Sequence, residues 1–197
     1  VFTSVTDAEA AQLVESHEAP GRNVTGTLDN HPEAINKAVT YVVNELDAKK
    51  IGMIFNSGEQ NSRAQVDEAK KQAETLGAEI VEASVSASSE VQQAAESLVG
   101  KVDAFYIITD NTVVSAMESV ISVANDHQLP LMAGEVDSVE RGALAAYGFD
   151  FYDIGYQAGE MAVDILVNGK DPATMPVEAP KKLELVVNEE TKALLEE

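Results

Sequence analysis

Short apolar runs alternate with amphipathic stretches along almost the whole chain. Residues 1–5, 51–55, 79–84, 103–108, 129–133, 144–147 and 183–187 are compact runs rich in Val, Ile, Phe and Tyr. Runs of that length and composition read as buried strands. Between them, apolar positions recur at helical spacing. Ala34, Ile35, Ala38, Val39, Val42 and Val43 mark a helix over 30–46, and the same pattern predicts helices over 63–76, 88–99, 113–125 and 152–167. Gly77 stands where a helix ends. At the front, Asp7 is expected to cap a helix over 8–16 with Ala10, Leu13 and Val14 on one face. A turn at 20–23 leads into a short strand over 24–26. Residues 171–180 hold three of the six prolines and read as an extended strap. A terminal helix is expected over 189–197.

Strands alternating with helices of this length imply right-handed βαβ units and a parallel sheet, an α/β fold with helices on both faces. In such a sheet, ligands bind at the carboxyl ends of the strands. Those ends are polar here. Thr6 and Asp7 follow the front strand, and Asn56, Ser57 and Glu59 follow the next. Thr109, Asp110 and Asn111 follow the run at 103–108, and Glu135 and Asp137 follow the run at 129–133. Helix N-termini at that edge suit a carboxylate, and Asp or Glu suits an ammonium group. The set therefore points to a small zwitterion such as an α-amino acid. The Ser, Thr, Asp and Asn members are also of types that cap helices, so the set says more than any member.

Composition narrows the function further. The chain has 197 residues and a formal net charge of −21, a surface that repels nucleic acid and anionic membranes. It has no cysteine, which removes disulfides, thiolate metal sites and a cysteine nucleophile. His17, His31 and His127 show no metal-ligand spacing, and no cofactor is expected. No nucleophile elbow and no glycine-rich phosphate loop is present. Tyr147, Phe149, Phe151, Tyr152 and Tyr156 put half of the ten aromatic residues into one stretch. Core packing is the default for them, with one ring at a strand exit as a possible ligand contact.

Six segments, in order along the chain, resemble one family. They are Val-Phe-Thr-Ser-Val-Thr-Asp at 1–7, Gly-Arg-Asn-Val-Thr-Gly at 21–26, Lys-Ile-Gly-Met-Ile-Phe-Asn at 50–56, and Val-Gln-Gln-Ala-Ala at 91–95. Val-Asp-Ala at 102–104 with Thr-Asp-Asn-Thr-Val at 109–113, and Arg-Gly-Ala-Leu-Ala at 141–145, complete the set. The chain resembles bacterial ABC-transporter substrate-binding proteins of the tryptophan/tyrosine-binding type. The resemblance implies a type I periplasmic-binding-protein-like fold. Two lobes are hinged by three crossing strands and close on a small ligand without catalysing a reaction. It also implies delivery to a membrane permease driven by an ATPase. The location would be the periplasm, or the outer face of the cytoplasmic membrane through a lipid anchor.

Family members carry further residues before the segment at 1–7. The expectation is therefore one complete lobe plus a remnant of the other. Residues 1–31 would be the first-lobe remnant and 32–150 the second lobe. Residues 151–170 would pack back toward the first lobe, and 171–197 would be a strap, strand and terminal helix of the second. Apolar surface left uncovered on the remnant would favour self-association. An aromatic amino acid is the expected ligand. A ligand-sensing domain of a regulator or receptor is the alternative, and an α/β enzyme the third reading.

Overall fold

A computed structural model of the chain describes residues 1–195. It divides into two compact units, one of residues Val1–Pro32 with Phe149–Leu183, the other of Glu33–Gly148 with the stretch from Glu184.

The larger unit is built on a six-stranded sheet. Its strands are β3 (Lys50–Asn56), β4 (Glu79–Val85), β5 (Ala104–Ile107), β6 (Leu131–Ala133), β7 (Ala145–Gly148) and β8 (Glu184–Val187), in the order β4-β3-β5-β6-β7-β8. All neighbours are parallel except β7 and β8, which pair antiparallel. The two-residue period of the strands sorts their side chains onto two faces. Ile51, Met53 and Phe55 of β3, with Tyr106 of β5 and Met132 of β6, join one cluster. Helix α1 (Ala34–Asn44) and helix α2 (Gln60–Thr75) cover that face. Ile54, Phe105, Ile107, Leu131 and Ala133 join the opposite cluster, under α3 (Val91–Leu98) and α5 (Met117–Asp126). The α/β fold with helices on both faces is thus present. Helix α8 (Glu189–Leu195) closes the described chain, and the last two residues of the expected terminal helix lie outside the described residues.

The expected helix over 113–125 is two helices, α4 (Asn111–Val114) and α5. The carbonyl of Val114 accepts from Arg141 Nη2 at 3.0 Å, and Ser115 Oγ turns back to the carbonyl of Thr112 at 2.7 Å. Both divert acceptors that a continuous helix would need. A one-turn helix, α6 (Asp137–Glu140), lies between β6 and β7.

The smaller unit holds the parallel pair β1 (Phe2–Val5) and β2 (Gly26–Leu28) with helix α7 (Phe151–Leu166). Strand β2 lies two residues beyond the position expected from the sequence. A Cβ on Gly26 would stand 2.1 Å from the carbonyl oxygen of Phe2, so only glycine allows β1 to approach. The other edge of β2 is met by the strap, with Leu28 N–H donating to the Glu178 carbonyl at 2.9 Å. Residues 171–183 thus lie with β1 and β2 rather than with β8 and α8.

The helix expected over 8–16 is absent. Asp7 Oδ1 caps one turn, accepting from the N–H groups of Glu9 and Ala10 at 3.0 Å each. Gln12, at φ 58°, then ends the turn, with Leu13 N–H returning to the Ala8 carbonyl at 3.0 Å. Ala8 and Val14 still reach the core of this unit beside Leu28 and Val177. Along α7, Ile154 and Met161 are buried, while Tyr152, Tyr156, Val163, Leu166 and Val167 are exposed.

Candidate functional site

The carboxyl ends of β3 and β5 are adjacent because those strands pair. Asn56 ends β3, and Glu59 is the residue before the first turn of α2. Thr109 and Asp110 follow β5, and Asp110 caps α4 by accepting from Val113 N–H at 2.8 Å. Asp110 is fully buried. Its other oxygen accepts from the N–H of Asn56 at 2.7 Å and from Ser62 Oγ at 2.6 Å. Three donors therefore engage this carboxylate, which locks the β5 exit to the β3 exit.

A second relay runs above it. Asn56 Nδ2 donates to Thr112 Oγ1 at 2.9 Å, and Thr112 Oγ1 donates to Glu59 Oε1 at 2.8 Å. Asn111 Nδ2 donates to Glu59 Oε2 at 2.9 Å. Burial alone would raise the Glu59 carboxyl, but the hydrogen bonds from Asn111 and Thr112 outweigh it and hold it below the ordinary value. Thr109 Oγ1 donates to Gln65 Oε1 at 3.0 Å, while Gln65 Nε2 is buried and has no hydrogen-bond partner.

The structure therefore joins Asn56, Glu59, Thr109, Asp110 and Asn111 in one neighbourhood. Ser57 is there through its backbone, whose carbonyl accepts from Arg63 Nε. Ser62, Gln65 and Thr112 complete the network. Thr112 follows directly after three expected residues, but Ser62 and Gln65 sit inside α2, where the sequence shows only a polar helix face.

Glu135 behaves differently. It is buried and folds onto its own turn, accepting from Ser138 N–H at 3.0 Å and from Ser138 Oγ. It is thus a capping group. Its chain segment does touch the β5 exit, since a Cβ on Gly134 would lie 3.1 Å from the backbone of Ile108 and Thr109. Asp137 is exposed in α6. Thr6 and Asp7 belong to the smaller unit, where Asp7 caps its own turn and stands 3.6 Å from His17 Nε2.

The aromatic stretch is not one cluster. Tyr147 meets Tyr41 edge-on at 6.2 Å, Phe149 meets Phe151 edge-on at 5.7 Å, and Tyr152 and Tyr156 are exposed.

The two helices at this edge differ in a way that bears on ligand chemistry. Asp110 caps α4, whereas the first turn of α2 receives no side-chain cap. The leading N–H groups of α2 are therefore open to an outside acceptor, at the positive end of a 16-residue helix. The Arg63 guanidinium stands over the same turn. Hydroxyl, amide and carboxylate groups flank it, so the edge carries donors and acceptors of the kind that can hydrogen-bond a small polar molecule.

The family model for ABC transporter substrate binding protein matches residues 1–196. The chain belongs to this family of ABC-transporter substrate-binding proteins. It is 45% identical over 192 residues to the tyrosine-binding protein of Clostridioides difficile, a match covering 97% of this chain and 55% of that protein. A conserved domain protein from Vibrio cholerae matches in structure at TM-score 0.92 and 38% identity, covering 100% of this chain and 66% of the other. An ABC domain in complex with L-Trp from Streptococcus pneumonia matches at TM-score 0.89 and 31% identity, covering 98% and 65%. The chain thus spans about half the length of its curated relative. Substrate-binding proteins bind their solute rather than transform it, and the family is not one of enzymes. The full burial of Asp110 and its three protein donors fit a structural role for this carboxylate.

Proposed function

We propose that the chain is part of the extracytoplasmic solute-binding component of an ABC importer, and that it takes an aromatic amino acid. It would act in the periplasm or from a lipid anchor on the outer face of the cytoplasmic membrane, handing its ligand to the permease. The observation that carries the ligand reading is the open N-terminus of α2 beside the polar exits of β3 and β5. An α-carboxylate would accept from the leading N–H groups of α2, with Arg63 adding positive charge. The named ligands of two relatives, tyrosine and L-Trp, support the aromatic class.

Calorimetry of the full-length gene product with tryptophan, tyrosine, phenylalanine and branched-chain amino acids tests the reading. Binding to an aromatic member below millimolar concentration is the expected result. Silence with every amino acid at millimolar levels sinks it. We further propose that copies associate through the exposed apolar side of α7. Sedimentation of this 197-residue chain over a range of concentrations checks that, and a monomer throughout overturns it.

A further inference from the structure

Helix α4 has four residues, so every peptide group in it lies within one turn of an end. The position of so short a helix is set by what caps it. The Asp110 carboxylate holds its N-terminus through Val113 N–H. Three of its four carbonyls are taken by the two residues that follow. Ser115 N–H goes to Asn111 at 3.2 Å, Ser115 Oγ to Thr112 at 2.7 Å, and Ala116 N–H to Val113 at 2.9 Å. The fourth carbonyl, of Val114, receives Arg141 Nη2 at 3.0 Å, from 27 positions along the chain. The same guanidinium forks onto Glu118 in the first turn of α5, Nε and Nη2 at 2.8 Å each. One side chain therefore grips both sides of the break between α4 and α5. Its own backbone is fixed by α6, whose Asp137 carbonyl accepts Arg141 N–H at 3.3 Å. Gly142, at φ 118°, then turns the chain so close to α5 that a Cβ would stand 3.2 Å from Ile121.

We propose that Arg141 is a positioning residue for the binding edge: by holding the Val114 carbonyl it fixes the end of α4, and with it the place of Asn111 and Thr112. The proposal rests on the reading above, in which that edge binds the ligand. Asn111 and Thr112 are the α4 residues whose side chains reach Glu59 at the front of α2, at 2.9 and 2.8 Å. Without Arg141 the Val114 carbonyl is free to take the N–H of Glu118, four residues on, as in a continuous helix. Helix α4 then runs into α5, as the apolar spacing over 113–125 favours. That redirects the α4 turn and takes Asn111 and Thr112 off Glu59. A guanidinium that only stapled α6 to α5 would need Glu118 alone, and the bond to Val114 is what ties it to the edge. Lysine matches the charge but not the planar fork that serves a carboxylate and a carbonyl together.

The test uses the full-length gene product with two readouts, NMR titration of the Glu59 carboxyl and calorimetry with L-tyrosine and L-tryptophan. Burial pushes the Glu59 carboxyl up, and the bonds from Asn111 and Thr112 bring it below its ordinary value. Its titration therefore reports whether those bonds are in place. Replacing the ion pair as a unit, Arg141→Met with Glu118→Gln, keeps the net charge. The expected result is a Glu59 titration raised toward the ordinary carboxylate range and amino-acid binding weakened about tenfold. Glu118→Gln alone leaves Arg141 on Val114, so neither change should appear. A thermal melt shows which variants are folded at the assay temperature, and Arg141→Lys takes the place of the double variant if that one is not. An unmoved Glu59 titration in the folded variant overturns the Arg141 assignment, whatever the ligand does. A raised titration with unchanged amino-acid affinity supports the hold on Asn111 and Thr112 and overturns this edge as the ligand's place. No binding of either amino acid to the wild type overturns the ligand reading, and the Glu59 titration still decides Arg141.

Discussion

The Asp110 carboxylate accepts the backbone N–H of Asn56 at 2.7 Å, so the end of one strand is fixed by the helix cap of the next. The same oxygen takes the Ser62 hydroxyl, and its partner takes Val113 N–H. Asn at position 110 would have to present an –NH2 group to donors on one side. We expect Asp110→Asn to cost about 2–3 kcal/mol, the range for hydrogen bonds to a buried charged group. Ser62→Ala should cost about 1 kcal/mol. Urea unfolding at neutral pH reads both as lower midpoints at unchanged slope. An Asp110→Asn protein as stable as the wild type would show that the carboxylate does not hold this edge.

Gln128 closes α5 at φ 51°, with its own N–H on the Asn125 carbonyl and Leu129 N–H on the Ala124 carbonyl. That is the position helices usually give to glycine, because a Cβ costs about 1 kcal/mol in the left-handed region. The side chain is exposed. Gln128→Gly should raise the unfolding free energy by up to about 1 kcal/mol, less the extra chain entropy of glycine. A lower melting temperature in the variant would contradict this.

Arg141 forks onto Glu118, with Nε to Oε1 and Nη2 to Oε2 at 2.8 Å each. Its hydrogen bonds hold the Glu118 carboxyl down at about 2. A depressed carboxyl stabilises the fold above its unfolded value, about 4.3, and loses that contribution as pH falls through the folded one. NMR titration of the Glu118 side chain should rise from about 2 in the wild type toward the ordinary carboxylate range in Arg141→Ala, with the backbone hydrogen bond at Glu118 keeping part of the depression. An unmoved titration would mean that another group holds it.

The larger unit was legible because its strands and helices carry their own periodicity. Six runs and their intervening apolar stripes predict its sheet with little help from distant residues. What escaped the sequence was set by tertiary partners. The break between α4 and α5 comes from Arg141 reaching the Val114 carbonyl, and no local pattern marks it. The turn at Asp7 looked like a helix because Ala10, Leu13 and Val14 have helical spacing. Its end depends on Gln12 taking a left-handed backbone that glutamine seldom adopts. At the site, residue type located the strand exits but not where each side chain points. Glu135 turns inward to Ser138, while Asn111 reaches Glu59. The end of β2 at Leu28 rather than Gly26 is likewise set by its partners, β1 on one edge and the Glu178 carbonyl on the other.

Asp29 also sets a pH-dependent cost on the unliganded chain. Its carboxyl is raised by burial, which reverses the usual sign for an aspartate. The stability associated with a raised group is present in full below its unfolded value, about 3.9. It is lost as pH rises through the higher folded value. Asn at this position keeps the shape and a donor-acceptor pair but never ionises. Urea midpoints measured from pH 3 to pH 8 should therefore agree for wild type and Asp29→Asn at the acid end. They should diverge in favour of the variant as the wild-type carboxyl ionises. The difference between the two proteins isolates Asp29 from the other carboxylates, which titrate alike in both. A variant less stable than the wild type at pH 8 would mean that the ionised carboxylate is a satisfied structural acceptor.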